Sequence, residues 1–429
     1  MIQRVGVIGG GAGGLAVVRA LQKHAPSVDV IGFEQSPHLG GTWVMDSSSP
    51  SSSYTTESAL YHSLRTNLPK EIMRFDDLAF PASLPSFCHH TDVREYLESY
   101  ASTFDLSTHY KMSTRVQGAE WDADTSCWSL STYSPGSEEA ETVEVDALVV
   151  ANGHFSHPKV PADIGIDAFA GMLSHSHAYR EPSAYAGLDV LVVGAGPSGV
   201  DISREVAGVA RSVVVAAGDP NDSLPRALQD AVSADASNLT ALPRVSRFCP
   251  DGASVLLADG AEVGPFEAAI LCTGYEYSFP FLPPSLVSVP EENPGLVLPR
   301  LYQHMWHPPL GSRLAFVGIP FKVIPFPLME VQASWFAHVV AGSVSLPSQT
   351  EMENETDAED AARADAGIHP RFTHRLEAWD EYCASVCALI GREWSGVRKE
   401  VYSAVSLDRK AHPDSYRDTN YTDYADLHP

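Results

Sequence analysis

A glycine-rich string that occurs twice limits the folds open to this chain. Residues 4–21, RVGVIGGGAGGLAVVRAL, run from an apolar stretch ending at Ile8 through Gly9-x-Gly11-x-x-Gly14 into helix formers such as Leu15, Ala16 and Ala20. Strand, tight turn and helix in that order predict a dinucleotide-binding unit. The first glycine permits the turn, the second lets the backbone approach a pyrophosphate, the third lets the helix pack closely, and the helix N-terminus favours the anion. The next apolar segment, VDVIGFE, ends at Glu34, 20 residues after Gly14. A carboxylate there is placed to accept hydrogen bonds from a ribose diol. Residues 188–207, LDVLVVGAGPSGVDISREVA, repeat the pattern with Gly194, Gly196 and Gly199, and with Pro197 and Ser198 inside the turn.

The two first glycines, 9 and 194, lie 185 residues apart, much too far to share one βαβ unit. Two fingerprints require two nucleotides, most economically a resident one such as FAD and a visiting nicotinamide cofactor. Between them, residues 114–154 alternate polar and apolar side chains and break at SPG, which reads as a small antiparallel meander leading into the apolar strand ALVVANG. The second unit ends in a matching way at AAILCTGY, residues 268–275, so that each unit closes with a buried strand and a glycine, Gly153 and Gly274. The fold class expected is α/β, with two Rossmann-like dinucleotide-binding domains, the second inserted into the first. The boundaries expected are 1–164 for the first part of the FAD-binding domain and 165–280 for the inserted NADPH-binding domain. Residues 281–429 form the second part of the FAD-binding domain, with C-terminal helices.

Composition narrows the function classes. With 28 basic and 54 acidic side chains the formal charge is −26, which repels nucleic acid and anionic lipid, so no nucleic-acid partner is expected. The start enters a strand pattern directly and no run of 18 apolar residues occurs, so neither a signal peptide nor a membrane span is expected and the location expected is cytoplasmic. The six cysteines are scattered, unlike a disulfide scaffold, and Cys383 and Cys387 read as one apolar helix face. The acidic run at 348–367 reads as a solvated helix face or a loop. In FAGMLSHSHAYR, residues 169–180, His175 and His177 make an HxH pair without a third ligand at metal spacing, so no metal site is expected. The stretch reads as a hinge between the two units.

Several strings together resemble the flavin-containing monooxygenase family, the class B flavoprotein monooxygenases, in its N- and S-oxidising branch. They are GGTW at 40–43, SLRTNLPKEIMRFDDLAF at 63–80, Phe169-x-Gly171-x-x-x-His175-x-x-x-Tyr179, CTGYEYSFPFL at 272–282 and PFPLMEVQ at 325–332. In Baeyer–Villiger relatives the last position of the third string is typically Trp, so Tyr179 points to the heteroatom-oxidising branch. The resemblance implies cofactor contacts from Gly40, Thr42, Trp43, His175, Thr273, Gly274 and Gln332. It implies that NADPH reduces FAD and that O2 forms a C4a-(hydro)peroxyflavin, which oxygenates a soft nucleophilic N or S atom of a small molecule. Asn67 matches the family asparagine that hydrogen-bonds near the oxygenated flavin, a catalytic role suited to an amide that donates without giving up its proton.

One position departs from the family. Many relatives grip the 2′-phosphate of NADPH with a Ser-x-Arg after the second unit's second strand, where this chain has Ala216, Ala217 and Gly218 followed by Asp219. Arg226 or Arg204 is then expected to reach the phosphate, or NADH to serve as well. A disulfide reductase needs a CxxC or CxxxxC pair, which the sequence lacks. The alternatives left open are a Baeyer–Villiger or N-hydroxylating monooxygenase and a non-catalytic FAD/NADPH redox sensor, with a homodimer as one possible assembly.

Overall fold

The computed structural model describes residues 2–45, 58–135, 139–218, 238–287, 300–413 and 415–424. Strand β1 (Arg4–Ile8) pairs in parallel with β2 (Asp29–Phe33), and β2 with the short β3 (Tyr110–Lys111). Helix α1 (Ala12–His24) joins β1 to β2 and turns Leu15, Val17, Val18 and Leu21 into the core. Each such side chain contributes about 1.5–3 kcal/mol on burial, and this apolar face holds α1 against the sheet. Helix α2 (Lys70–Met73) and helix α3 (His90–Thr103) follow in the long connection between β2 and β3.

The expected meander is present as β4 (Arg115–Asp122), β5 (Cys127–Tyr133) and β6 (Glu141–Val145), an antiparallel sheet whose Trp121 and Trp128 face each other across the strands. It feeds β7 (Ala147–Val150), which is buried at every position and lies beside β1 in the first sheet. Two flanking faces explain the unbroken apolar run, since a strand covered on both sides has no polar face to alternate with.

The chain then builds a second parallel sheet from β8 (Met172–His175), β9 (Asp189–Val193), β10 (Ser212–Ala216), β11 (Leu239–Leu242) and β15 (Ala268–Leu271), in the order β11-β10-β9-β15-β8. Helix α4 (Pro197–Ala207) links β9 to β10. A three-stranded antiparallel sheet of β12 (Val245–Phe248), β13 (Val255–Leu257) and β14 (Glu262–Val263) is the counterpart of the first meander. Strand β16 (Leu314–Phe316) returns to the first sheet beside β7, which completes the order β16-β7-β1-β2-β3. The second Rossmann-type unit is thus inserted into the first.

Four helices close the chain over the first unit: α5 (Pro325–Val340), α6 (Gln349–Asp365), α7 (Trp379–Leu389) and α8 (Val397–Ala411). The acidic run forms α6, started by a reciprocal Ser348–Glu351 cap, with Met352 and Thr356 as its buried residues. Cys383 and Cys387 lie on the buried face of α7, and all six cysteines are free thiols. Among the described residues, no helix is long and apolar enough to cross a membrane.

Candidate active site between two glycine loops

Parallel strands bring every turn that follows them to one edge of the sheet, and that is where an open α/β sheet binds ligands. In the first sheet this edge collects Gly9 to Gly14 after β1, Glu34 after β2, Asn152 and Gly153 after β7, and Gly318 after β16. Gly9 has φ +106°, in a region that side chains disfavour, and a Cβ there would strike the Ala151 carbonyl. A Cβ on Gly14 would run into the Gly9 carbonyl oxygen, while one on Gly11 would meet only the Gly41 backbone, at 3.4 Å. The structure therefore needs the first and third glycines for its own packing. The second leaves a cradle that a side chain would fill.

The Gly40–Trp43 turn backs this cradle. The Gly40 N–H donates to the Gly10 carbonyl at 2.9 Å, Thr42 accepts from the Ser58 hydroxyl at 2.7 Å, and the Trp43 ring meets Phe326 edge-on at 6.4 Å. Glu34 is buried, and its two carboxylate oxygens accept from the Gly10 and Ser36 N–H groups, each at 2.7 Å. These bonds fix the carboxylate against the loop. Helix α1 starts at Gly11 with no side-chain cap, which leaves its first N–H groups to an outside acceptor.

The second sheet repeats the arrangement in a more open form. Gly194 also has φ +106°, and a Cβ on Gly199 would strike the Gly194 carbonyl, yet a Cβ on Gly196 would find no atom within 4 Å. Gly196 and Pro197 are exposed and Ser198 is half-buried. Pro197 occupies the first helical position of α4, where a missing N–H costs nothing, and α4 too lacks a side-chain cap. Arg226 and Asp219 lie outside the described residues. Arg204, in the last turn of α4, donates to the Pro413 carbonyl at 2.9 Å, well along the helix from the glycine loop. Sequence reading missed Arg244. Its N–H donates to the Gly218 carbonyl at 3.1 Å, which sets this exposed residue beside the end of β10.

The segments that leave the two edges pair with each other. Pro158 bridges Tyr275, the Lys159 N–H donates to the Gly274 carbonyl at 2.9 Å, and the Thr273 hydroxyl donates to the Lys159 carbonyl. Stretch 169–180, expected as a hinge, is instead built into the second unit, because Met172–His175 pairs with β15 as an edge strand. His175 and His177 are fully buried, and their rings meet the Tyr275 ring edge-on at 5.5 and 5.7 Å. The His175 Nδ1 accepts the His177 N–H at 3.0 Å, which fixes it as the unprotonated nitrogen. Burial, aided by the His177 ring and opposed by the Gly274 backbone, pushes the His175 pKa down to about 4. Among the described residues no group of three or more candidate ligands could hold a metal ion. Tyr179 donates to the Glu205 carboxylate at 2.8 Å and so ties the stretch to α4.

Asn67 is exposed at a bend just before α2. The loop that carries it lies between the units: Tyr61 donates to Asp201 of α4 at 3.0 Å, the His62 N–H to the Arg180 carbonyl at 3.0 Å, and Arg180 to the Ser58 carbonyl at 3.0 Å. Gln332 sits deeper. It is fully buried in α5, accepts the Gly318 N–H at 2.9 Å and donates to the Tyr382 hydroxyl at 3.1 Å. Its amide thereby holds the positive-φ turn at Gly318, where a Cβ would meet Met329 at 2.7 Å.

Two glycine cradles, each with an uncapped helix start, in units whose outgoing segments pair at Lys159 and Gly274, fit two dinucleotides. The chain belongs to the flavin-binding monooxygenase-like family. The family model matches residues 2–236 and 220–392. Along 96% of its length the chain is 33% identical to flavin-containing monooxygenase FMO GS-OX-like 4 of Arabidopsis thaliana, covering 93% of that protein. Among solved structures it resembles the S-allyl-L-cysteine S-oxygenase of Allium sativum, with TM-score 0.87, 32% identity and coverage of 98% and 96% of the two chains. Tmm from Pelagibacter sp. strain HTCC7211, with TM-score 0.81, 22% identity and coverage of 99% and 94%, shares the fold. The protein is a flavin-dependent monooxygenase of the heteroatom-oxidising kind, and its family uses FAD and NADPH.

Proposed function

We propose that the protein transfers one oxygen atom of O2 to the sulfur of a small thioether, with water as the other product. The observation that carries this reading is the likeness, over nearly the whole chain, to an S-allyl-L-cysteine S-oxygenase. Tyr179 in the position where Baeyer–Villiger relatives carry Trp agrees with it. FAD, when bound, supplies the electron transfer and oxygen activation, while the protein supplies position, electrostatics and water exclusion.

Gly9, Gly11 and Gly14 with the start of α1 would hold the FAD pyrophosphate, Glu34 a ribose hydroxyl, and Gly40, Thr42 and Trp43 the far wall. Gln332 would act on this site from behind, by holding the Gly318 turn. Gly194, Gly196, Pro197, Ser198 and Gly199 would hold the nicotinamide dinucleotide. Thr273, Gly274 and the neutral His175 would form the seam between the two cofactors. Asn67 would donate a hydrogen bond to the oxygen being transferred, through an amide proton too weakly acidic to be lost. Arg244 would reach the 2′-phosphate of NADPH from beside β10, with Arg226 as the other donor. Supporting the domain reading of 1–164 and 281–429 around 165–280, β8 through β15 contains every strand of the second sheet and β16 rejoins the first. Six free thiols support a cytoplasmic location, since reducing compartments keep cysteines unpaired.

The test is product analysis in air with NADPH and three probes: S-allyl-L-cysteine, N,N-dimethylaniline and cyclohexanone. The sulfoxide should dominate. An ester from the ketone as main product, or NADPH oxidation that gives only peroxide with all three, would reject thioether oxygenation.

A further inference from the structure

The C-terminal segment makes a connection that neither glycine loop predicts. Tyr416 is buried against Phe87 in an edge-on contact at 5.4 Å, and Arg65 of the Asn67 loop donates to the Arg417 carbonyl at 2.6 Å and to the Asp418 carboxylate at 3.1 Å. Farther on, the Tyr421 N–H donates to the Ser86 hydroxyl at 2.8 Å. The segment is thus anchored on the first unit.

From that anchor the Arg417 side chain reaches the second unit. Its two terminal nitrogens donate to the two oxygens of Asp201 on α4, at 3.1 and 2.8 Å, and its Nε donates at 3.1 Å to the carbonyl of Thr66, the residue before Asn67. The pair is mostly shielded, with side-chain exposures of 20% and 18%. Asp201 also accepts the Tyr61 hydroxyl, so one carboxylate joins α4, the loop and the C-terminal segment. A guanidinium is planar and presents five donors in a fixed fork, so it can hold a carboxylate and a carbonyl at a set separation, which a lysine ammonium on a flexible stem cannot do.

We propose that Arg417 is a positioning residue for oxygen transfer, setting Asn67 relative to the helix that starts at the second glycine loop. The proposal rests on the oxygen-directing role given to Asn67 above. Among the described residues no hydrogen bond joins Asn67 to Arg417 directly. The guanidinium acts on it through the Thr66 carbonyl, one peptide away, and Asp201 carries the same restraint into α4.

The experiment uses the full-length, FAD-loaded protein and the variants Arg417→Met, Arg417→Lys, Asp201→Asn and Asn67→Ala. It measures peroxide released per NADPH oxidised with S-allyl-L-cysteine present, flavin content, the NADPH KM and amide hydrogen exchange. In Arg417→Met, amides of residues 61–68 should exchange about tenfold faster, equivalent to ~1.4 kcal/mol of local protection, while those of β1 stay unchanged. Peroxide per NADPH should rise toward the Asn67→Ala level with flavin content and KM held. Arg417→Lys should show the same two changes more weakly, as should Asp201→Asn, and either serves if Arg417→Met fails to fold. Adding Arg417→Met to Asn67→Ala should raise peroxide no further. A lower Tm in Arg417→Met with wild-type peroxide yield and wild-type exchange at 61–68 would reduce the residue to a strap and overturn the proposal. If Asn67→Ala itself leaves peroxide unchanged, the Asn67 role fails separately, and unchanged exchange at 61–68 then overturns the Arg417 proposal as well.

Discussion

The two glycine loops share a sequence pattern and a backbone, but they differ in how they are braced. Both turn at a glycine with φ +106°, and in both this glycine donates at 2.9 Å to the chain at the end of the neighbouring strand, Gly9 to Phe33 and Gly194 to Ala216. The first loop is also held by Glu34, by Gly40 and by the close approach of Gly11 to Gly41, and its third glycine lies in the first turn of a helix buried on most sides. The second has an exposed Gly196 and Pro197 with open space above them. An enclosed, pre-formed cradle suits a cofactor that stays through many turnovers. An open one suits a cofactor that enters and leaves at each turnover. One fingerprint can serve either purpose, and the surrounding chain decides which.

The largest effect should come from filling the enclosed cradle. Gly11→Val places two methyl groups where the pyrophosphate would lie, and the purified protein should be colourless. Retention of flavin would break the distinction at its root. Next comes the loop between the units: Asn67→Ala should keep flavin and still oxidise NADPH, but divert most of the oxygen to peroxide, measured as peroxide against sulfoxide.

A smaller pair of changes separates packing from binding within the open loop. Gly199→Ala pushes a methyl group into the Gly194 carbonyl and should lower stability by about 1–3 kcal/mol, as overpacking does. Gly196→Ala meets no protein atom, so Tm should hold while the Kd for NADP+ rises about tenfold, or ~1.4 kcal/mol. Equal loss of Tm in both would show that the open space is not a ligand site. Smaller still is the 2′-phosphate contact. A hydrogen bond to a charged group contributes about 1.5–3 kcal/mol, so Arg244→Ala should cut the ratio of NADPH to NADH kcat/KM by about tenfold. An unchanged ratio there, with a fall in Arg226→Ala, would transfer the role to Arg226.

Acid should reverse the order of sturdiness. Burial pushes His90, His154, His304 and His307 in the first unit down to about 4, and His175 in the second likewise, from an ordinary 6.5. Between about pH 4 and 6.5 the unfolded chain binds more protons at these sites than the folded one, so stability rises with pH across that window and is lost as pH falls through it. With four of the five histidines, the first unit should weaken more. Thermal unfolding between pH 7 and 4.5 should show flavin release falling in temperature faster than the melting of the second unit; the opposite order would contradict the placement of these rings.

The two strand-turn-helix units, their parallel sheets, the insertion of one unit in the other and the glycines of both turns were legible in the residue pattern alone. Those signals are local: a strand, a glycine turn and a helix lie within about 20 residues, and the constraint at Gly14 or Gly199 comes from the carbonyl of the first glycine of the same turn. Even Glu34 was legible, because a parallel neighbour strand must end near the turn. That residues 172–175 are an edge strand and not a hinge, that Gln332 holds the Gly318 turn, and that Arg244 stands beside Gly218 came only with the packing of the whole chain. The most remote of these contacts joins Arg417 to Thr66 and Asp201, partners 351 and 216 positions away. Such contacts follow no periodicity and no fixed spacing. They are set by how two units, each folded by its own local pattern, happen to pack, and by the few polar groups that the packing leaves to satisfy one another.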